Sequence, residues 1–597
     1  MRFIIFISIF CFFSCTSGYS PEIEDVLQQA GSNRKELERV LNHYARNPED
    51  SLMLRAAEFL IINMPGKYSE YFDAPWNHVA TVFLRWSSSS DKQKVLETYG
   101  LNRPVVREDI QYITAEYLIN NIDLAFKVWR ETPWGRHVPF DVFCEEILPY
   151  RIGTEPLENW RELALASFAD PYLEFLKDSL TTSVKACQKI NKLLPRFRLD
   201  KDFPAMSYSQ LMASARGPCD NAAALAIFSM RALGIPVTMD MTILWPHFQS
   251  RRGHSWNTVR DSDGNHISFM GAETNPYQPH QGTTFLKSKA YRRMFSNQYR
   301  MKDKEQNIPP EFMENLKDIS SEHSGMVNIK IPVKYPPEEP SGNVYLTTCH
   351  EREWHPVAYG TTDGKSMHYG NIGYGIVYWP VYYQDHRLTS ANDPFSVDKE
   401  GNIRWFSHHS PDTLLTIVEE LHKNKGMLNF LTVEAANYPD FSDATQLYAV
   451  KNLQVNSGYR ITIPVYASYR YVRFKSSQTG FCNKAKFVIY EKENKPRSSS
   501  ISSHNGDWQG FGYPEKKEIS TIYFTVEKDE TSDLNGFIYE LFSFTENGWT
   551  SVSDQYIKHN TQIKVPSKSI YYLRNVALGL DEPMFVIKDG KPALFHR

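Results

Sequence analysis

Arg216-Gly217-Pro218-Cys219-Asp220-Asn221, continued by AAALAIFSMRALGIPV at 222–237, is the stretch on which the reading of the chain turns. Within it Ala222, Leu225, Ala226, Ser229 and Leu233 recur at the spacing of one helix face. Gly217-Pro218 breaks the chain ahead of that helix and Gly234-Ile235-Pro236 stops it. Cys219 therefore falls at a helix start, where the unpaired N–H groups of the first turn and the positive end of the helix dipole favour a thiolate over a thiol. The character then becomes β. Val237–Trp245 and Ser255–Val259 are rich in branched and aromatic side chains, Asp263-Gly264 is a hairpin signal, and 267–270 reads as the return strand.

The resulting order is a thiol on a helix, then His254 entering a strand, then an acidic residue, Glu273, after the next strand. A thiol nucleophile needs a base within hydrogen-bond reach and a third group to orient that base, and this order supplies candidates for all three. GPCDNAAALAIFSMRALGIPV followed by GHSWNTV resembles the core of the transglutaminase-like superfamily, whose papain-like fold carries a Cys-His-Asp triad. On that resemblance Cys219 matches the nucleophile and His254 the base. The third position departs from the pattern: family members place an Asp shortly after a Trp on the second strand, whereas Phe269 stands where the Trp is expected. Glu273 or Asn275 is left to orient His254. The papain-like resemblance also implies an oxyanion-hole side chain upstream of the nucleophile, for which Gln210 is the candidate.

At 597 residues the chain has room for several domains with true cores. A formal net charge of -3 argues against a general nucleic-acid binder, and aromatics at 14% suit β-rich modules and carbohydrate-facing surfaces equally. Met1-Arg2 followed by the apolar run Phe3–Phe13 has the layout of a secretory signal and is too short to span a bilayer. Ser14-Cys15 closes it, which resembles a bacterial lipoprotein signal with Cys15 as the lipidated residue. The expected location is the cell envelope, on a lipid anchor. The cysteines beyond the signal, Cys144, Cys187, Cys219, Cys349 and Cys482, are scattered, odd in number and without CxxC, so they define neither a metal site nor a disulfide framework. His247, His254 and His266 fit no zinc spacing, and no phosphate loop or dinucleotide fingerprint is present; no cofactor is expected.

The fold class that follows is multidomain: a helical N-terminal region and an α+β transglutaminase-like (papain-like) core, followed by all-β sandwich modules. The expected divisions are a signal at 1–15, a helical domain at 16–182, the core at 183–320, a β-sandwich at 325–402, a second at 403–505 and a terminal β module at 506–597. In the helical region, Ser32–Glu36 is a helix start, LERVLNHYA and LMLRAAEFLIINM carry helical spacing, and Pro65-Gly66 is a stop. Farther on, VNIKIPV, NVYLTTC, WHPVAYG and GIVYWPVYY alternate with turn residues, as antiparallel strands do. YRYVRFKSSQTGFCNKAKFVIYEKE resembles the closing strands of galactose-binding-like, discoidin-type jelly rolls, in which a final strand lies against the YxYVRF strand. The terminal stretch resembles a β module of exported, multi-domain bacteroidetes-type proteins. Trp354, Trp508 and Trp549 are candidates for core or for sugar-stacking platforms.

Two function classes stand side by side. One is an exported thiol enzyme that hydrolyses amide or peptide bonds of a peptide or glycoprotein through a Cys219 thioester. The other is a surface-anchored protein that uses the same domain as a scaffold and its β modules to hold glycan or glycoprotein.

Overall fold

The computed structural model describes residues 18–595, apart from short segments of which the longest are 299–307, 418–426, 477–484, 491–500, 513–520 and 529–537. Cys15 and Cys482 lie outside the described residues, as does His247. Among the described residues no helix is long and apolar enough to cross a membrane.

The N-terminal region is helical because its apolar residues recur every three or four positions and its helix starts are capped. Ser20 accepts the Ile23 N–H, Thr114 the Tyr117 N–H and Thr182 the Lys185 N–H. The helix expected near Ser32 runs Arg34–Ala45, and the next, Ser51–Ile62, ends before Gly66 at φ 79°. These helices bury Leu37, Leu41, Leu60 and Ile61 against Ile122 and Phe126 of the helix Ala115–Glu131. A short antiparallel pair, Tyr68–Tyr71 with Val105–Glu108, interrupts them. Beneath it the fully buried Asp109 carboxylate takes two bonds from Arg151, at 2.5 and 2.6 Å, and one from the Tyr150 hydroxyl at 2.9 Å.

The helical region and the next unit share one hydrophobic cluster, which runs from Trp134, Trp160 and Phe175 through Ile190 to Leu225, Phe228 and Phe269. The boundary expected at 182/183 is therefore crossed by a continuous core. Two polar ties reinforce it: the Trp134 indole donates to the Gly234 carbonyl at 2.6 Å, and Arg161 donates to the Arg231 carbonyl at 3.1 Å.

The central unit packs the helix Cys219–Arg231 against an antiparallel sheet. Its strands, in spatial order, are His266–Phe269, His254–Arg260, Val237–Thr242, Tyr291–Arg293 and Leu316–Asp318. Asp240 stands directly opposite Arg292 across two of these strands, and the pair forms a two-bond ion pair at 2.8 and 2.9 Å with both side chains buried. Arg292 continues to Glu322, and its Nη1 lies 2.8 Å from Nδ1 of His266, whose Nε2 meets Glu146 of the helical region at 2.9 Å. His266 is thus a member of a structural charge network.

Residues 326–405 form eight connected antiparallel strands that bury a core of their own, with Ile331, Leu346, Met367 and Phe395 in it, and they pack on the central sheet through Tyr291, Phe312 and Tyr345. Beyond it the expected divisions shift. The strand Asp412–Thr416 pairs with Gln562–Pro566, so the chain enters the terminal module first. It then forms two sheets between 427 and 528, and returns to the terminal module. The strands Trp508–Gly512 and Thr521–Lys528 belong to those two sheets, past the boundary expected at 505/506. A nested insertion leaves no compositional mark, because both sides of each crossing are strand-forming sequence. The strand Ala485–Tyr490 pairs with Thr521–Lys528 in the three-stranded sheet, whereas Tyr471–Ser476 belongs to the five-stranded one, so the two closing strands are not hydrogen-bonded neighbours. Arg473 is an ion-pair partner of Glu434 at 2.6 Å. Trp354 is buried and lies parallel to Trp549 at 6.3 Å, at the junction of the 326–405 sheet with the terminal module; both are packing residues there. The side chain of Trp508 lies outside the described residues.

Breaking a buried, multiply bonded ion pair strands the remaining charge, at a cost of about 3–5 kcal/mol. Asp109→Ala is expected to lower the urea midpoint of the helical transition followed by far-UV circular dichroism. Glu116→Ala, which removes the exposed partner of Arg39 at 3.5 Å, is expected to leave it unchanged.

Candidate active site

The cysteine helix starts where the sequence places it. Gly217 has φ 148°, a backbone that favours glycine, and a Cβ there would come within 2.4 Å of the Asn221 amide. Pro218 then occupies the N-cap position and Cys219 the first helical one. Asn221 ties the start down by donating to the Pro204 carbonyl at 2.8 Å. Of the thirteen residues from Cys219 to Arg231, ten are buried, so the helix is enclosed on nearly every side.

Cys219 itself is partly exposed and free. Its Sγ accepts the backbone N–H of Ser255 at 3.4 Å, and the adjacent residue, His254, opens the neighbouring strand. The fold therefore brings the thiol to the end of the strand that carries the expected base. His254 is 7% exposed and held between two indoles, stacked on Trp245 at 5.8 Å and tilted to Trp256 at 6.2 Å.

Burial and the neighbouring Asp220 carboxylate push the Cys219 thiol up to about 11, against the pull of the Ser255, Asp220 and Cys219 N–H groups. The depression expected from the helix start does occur as an influence, but desolvation outweighs it. The Cys219 side chain is therefore held as a thiol at neutral pH. Close to His254, the buried His280 is held neutral, down to about 4, chiefly by burial, with other basic side chains nearby. His280 Nδ1 accepts the Gly282 N–H at 3.1 Å, which leaves the ring proton on Nε2.

The expected third members are placed elsewhere. The strand register pairs Asn257 with Phe269, and its continuation sets Met270 opposite Trp256 on the face that carries His254. Met270 packs there with Trp256, Ala290 and Ile319, so an apolar side chain fills the place where an orienting carboxylate is expected. Glu273 is exposed at the tip of the turn closed by Met270 and Thr274; its own N–H bonds the Met270 carbonyl and its carboxylate does not reach His254. The Asn275 side chain accepts from Asn191 at 3.3 Å, serving the same turn. The Gln210 side-chain oxygen accepts the Ser207 N–H at 3.0 Å and caps its own short helix.

Sequence reasoning passed over two positioning residues. Asn191 donates to the Thr274 carbonyl and accepts the Ala272 N–H, holding the turn from the helix Ser183–Leu193. Asn257 donates to the Ala223 carbonyl of the cysteine helix at 3.0 Å and accepts the Gly271 N–H at 3.1 Å. Gly271 lies so near the helix that a Cβ would stand 2.7 Å from both the Ala222 oxygen and the Ala226 Cβ. Asn257 sits within the GHSWNTV motif, where an asparagine inside a strand-forming run was the available signal, whereas Asn191 lies outside the motifs.

A family model described as the transglutaminase-like superfamily matches residues 175–270, a span that holds Cys219 and His254 and stops before Glu273. Among solved structures, red sea bream transglutaminase aligns over 73% of this chain and 77% of its own, at 9% identity and a TM-score of 0.19, too low for the folds to superpose. No curated protein matches the chain.

Removing the charge beside the thiol isolates its effect. Asp220→Asn is expected to lower the Cys219 titration and speed its alkylation by iodoacetamide at pH 8 by about three- to tenfold. An unchanged or slower rate would show that Asp220 does not hold the thiol up. Glu273→Gln is expected to leave the alkylation profile where it was.

Proposed function

We propose that the transglutaminase-like domain of this chain is a cysteine-dependent acyl-transfer enzyme that hydrolyses amide or peptide bonds of a peptide or glycoprotein. The observation that supports this most is the Ser255 N–H to Cys219 Sγ contact at 3.4 Å, which joins the start of the nucleophile helix to the strand opened by His254.

In the proposed reaction the Cys219 proton passes to His254 as Sγ bonds to the substrate carbonyl carbon. The tetrahedral oxyanion forms beside the helix start, where first-turn N–H groups face it. Collapse breaks the C–N bond, and the amine leaves with the proton from His254. Water then loses a proton to His254, attacks the thioester and releases the acid and the thiol. Because Cys219 rests as a thiol, this is general-base attack rather than attack by a stored ion pair.

The proposal extends to the rest of the chain. The apolar leader ending in Cys15 supports export and a lipid anchor in the cell envelope. The strand-rich region after residue 325 is the part proposed to hold the glycan or protein portion of a substrate.

Labelling by a thiol-reactive vinyl sulfone and amine release from a peptide amide library test the enzyme reading together. Cys219→Ala is expected to abolish both, and His254→Ala to slow both by about a hundredfold or more. Labelling of Cys219 that is indifferent to His254→Ala, with no amine released, would leave the domain a scaffold and the chain a binding protein. Separately, Cys15→Ser is expected to move the protein out of the membrane fraction.

A further inference from the structure

Alongside the cysteine helix, on the side facing the helical region, lies a cavity of about 580 Å³ that includes neither Cys219 nor His254 in its wall. It opens between the helical region and the Arg293 end of the Tyr291–Arg293 strand, and its volume suits a small organic molecule. Four cationic side chains line it, Lys67, Arg151, Arg231 and Arg293, against two acidic ones, Glu155 and Asp220.

These charges differ in how far they are already used, and Asp220, at the cysteine-helix start, is an acidic group without a cationic partner within 4 Å among the described residues. Arg151 is held by Asp109, as described above. Both Glu155 carboxylate oxygens are spent on the Ile152 and Gly153 N–H groups, each at 2.7 Å. Lys67 and Arg231, by contrast, have no carboxylate within 4 Å among the described residues. Lys67 Nζ sits over the Phe295 ring, 4.4 Å from its centre, and Arg231 donates only to the Val237 and Glu145 backbone carbonyls. Arg231 is 5% exposed, and burial brings it down to about 10 and Lys67 to about 8, so both carry their charge at neutral pH without a counter-charge at contact. For the buried Arg231 that state is unfavourable, and a bound anion would offset the cost. The rest of the wall is apolar, with Ile227, Met239 and Met294 among its residues, which leaves room for a hydrocarbon portion.

We infer that this cavity is a binding site for a small organic anion, a carboxylate or phosphate head held by Lys67 and Arg231 with an apolar body against Ile227 and Met239. The inference does not depend on Cys219 being a nucleophile.

Isothermal titration of the full-length chain with 3-phenylpropionate, phenyl phosphate and the uncharged 3-phenylpropanamide, at constant ionic strength, tests it. At least one anion is expected to bind, at least about tenfold more tightly than the amide. Which of the two it is identifies the head group. Lys67→Met is expected to weaken the anion about tenfold or more and to leave the amide unaffected. Because Lys67 is only half-buried, this variant is expected to fold; unchanged circular dichroism checks that, and Lys67→Arg, which keeps the charge, is expected to retain binding. Equal affinity for anion and amide, anion binding that survives Lys67→Met, or no heat with either anion at millimolar concentration would each overturn the assignment.

Discussion

Enclosure of the Cys219–Arg231 helix is the constraint on which the central unit depends. A helix buried on nearly all sides has no solvent-facing surface to absorb error, so each neighbour must meet it at close range. Gly271 and Asn257 do so from the sheet, Trp160 from the helical region at 4.9 Å from Phe228, and Asn221 from the first turn. The helical region is part of this enclosure and shares its core, so the thiol is positioned by both.

The same enclosure sets the electrostatics. A thiol over first-turn N–H groups is favoured as an anion, yet the low dielectric around it and the carboxylate of Asp220 act the other way and win. Charges elsewhere show a parallel pattern. Where a partner is supplied, as for Asp109 with Arg151 and Asp240 with Arg292, the pair knits two parts of the chain together. Where none is supplied at contact, as for Lys67 and Arg231, the charge lines a cavity.

The C-terminal half illustrates a different dependence. Its strand-forming sequence is legible throughout, but strand pairing is non-local, and the pairing of Asp412–Thr416 with Gln562–Pro566 spans nearly 150 residues of chain. Trp354, Phe544 and Trp549 close the junction that results, which is where aromatic content that also suits sugar binding has gone in this part of the molecule.

By itself the sequence determined the cysteine helix, its start and stop, the two strands after it and the placement of Cys219 and His254 on them. Those features rest on local signals: a Gly-Pro breaker, a helical period and a β-branched run followed by Asp-Gly. The identity of the third group was not local. Glu273 and Asn275 are near in number, but a tight turn carries one into solvent and the other onto Asn191, while register alone sets Met270 on the His254 face. Gln210, the oxyanion-hole candidate from the sequence, uses its side-chain oxygen in a cap with Ser207. Tertiary structure decided these points because a side chain's partner depends on which strands pair and what is buried between them, and neither is written in the spacing of residues along the chain.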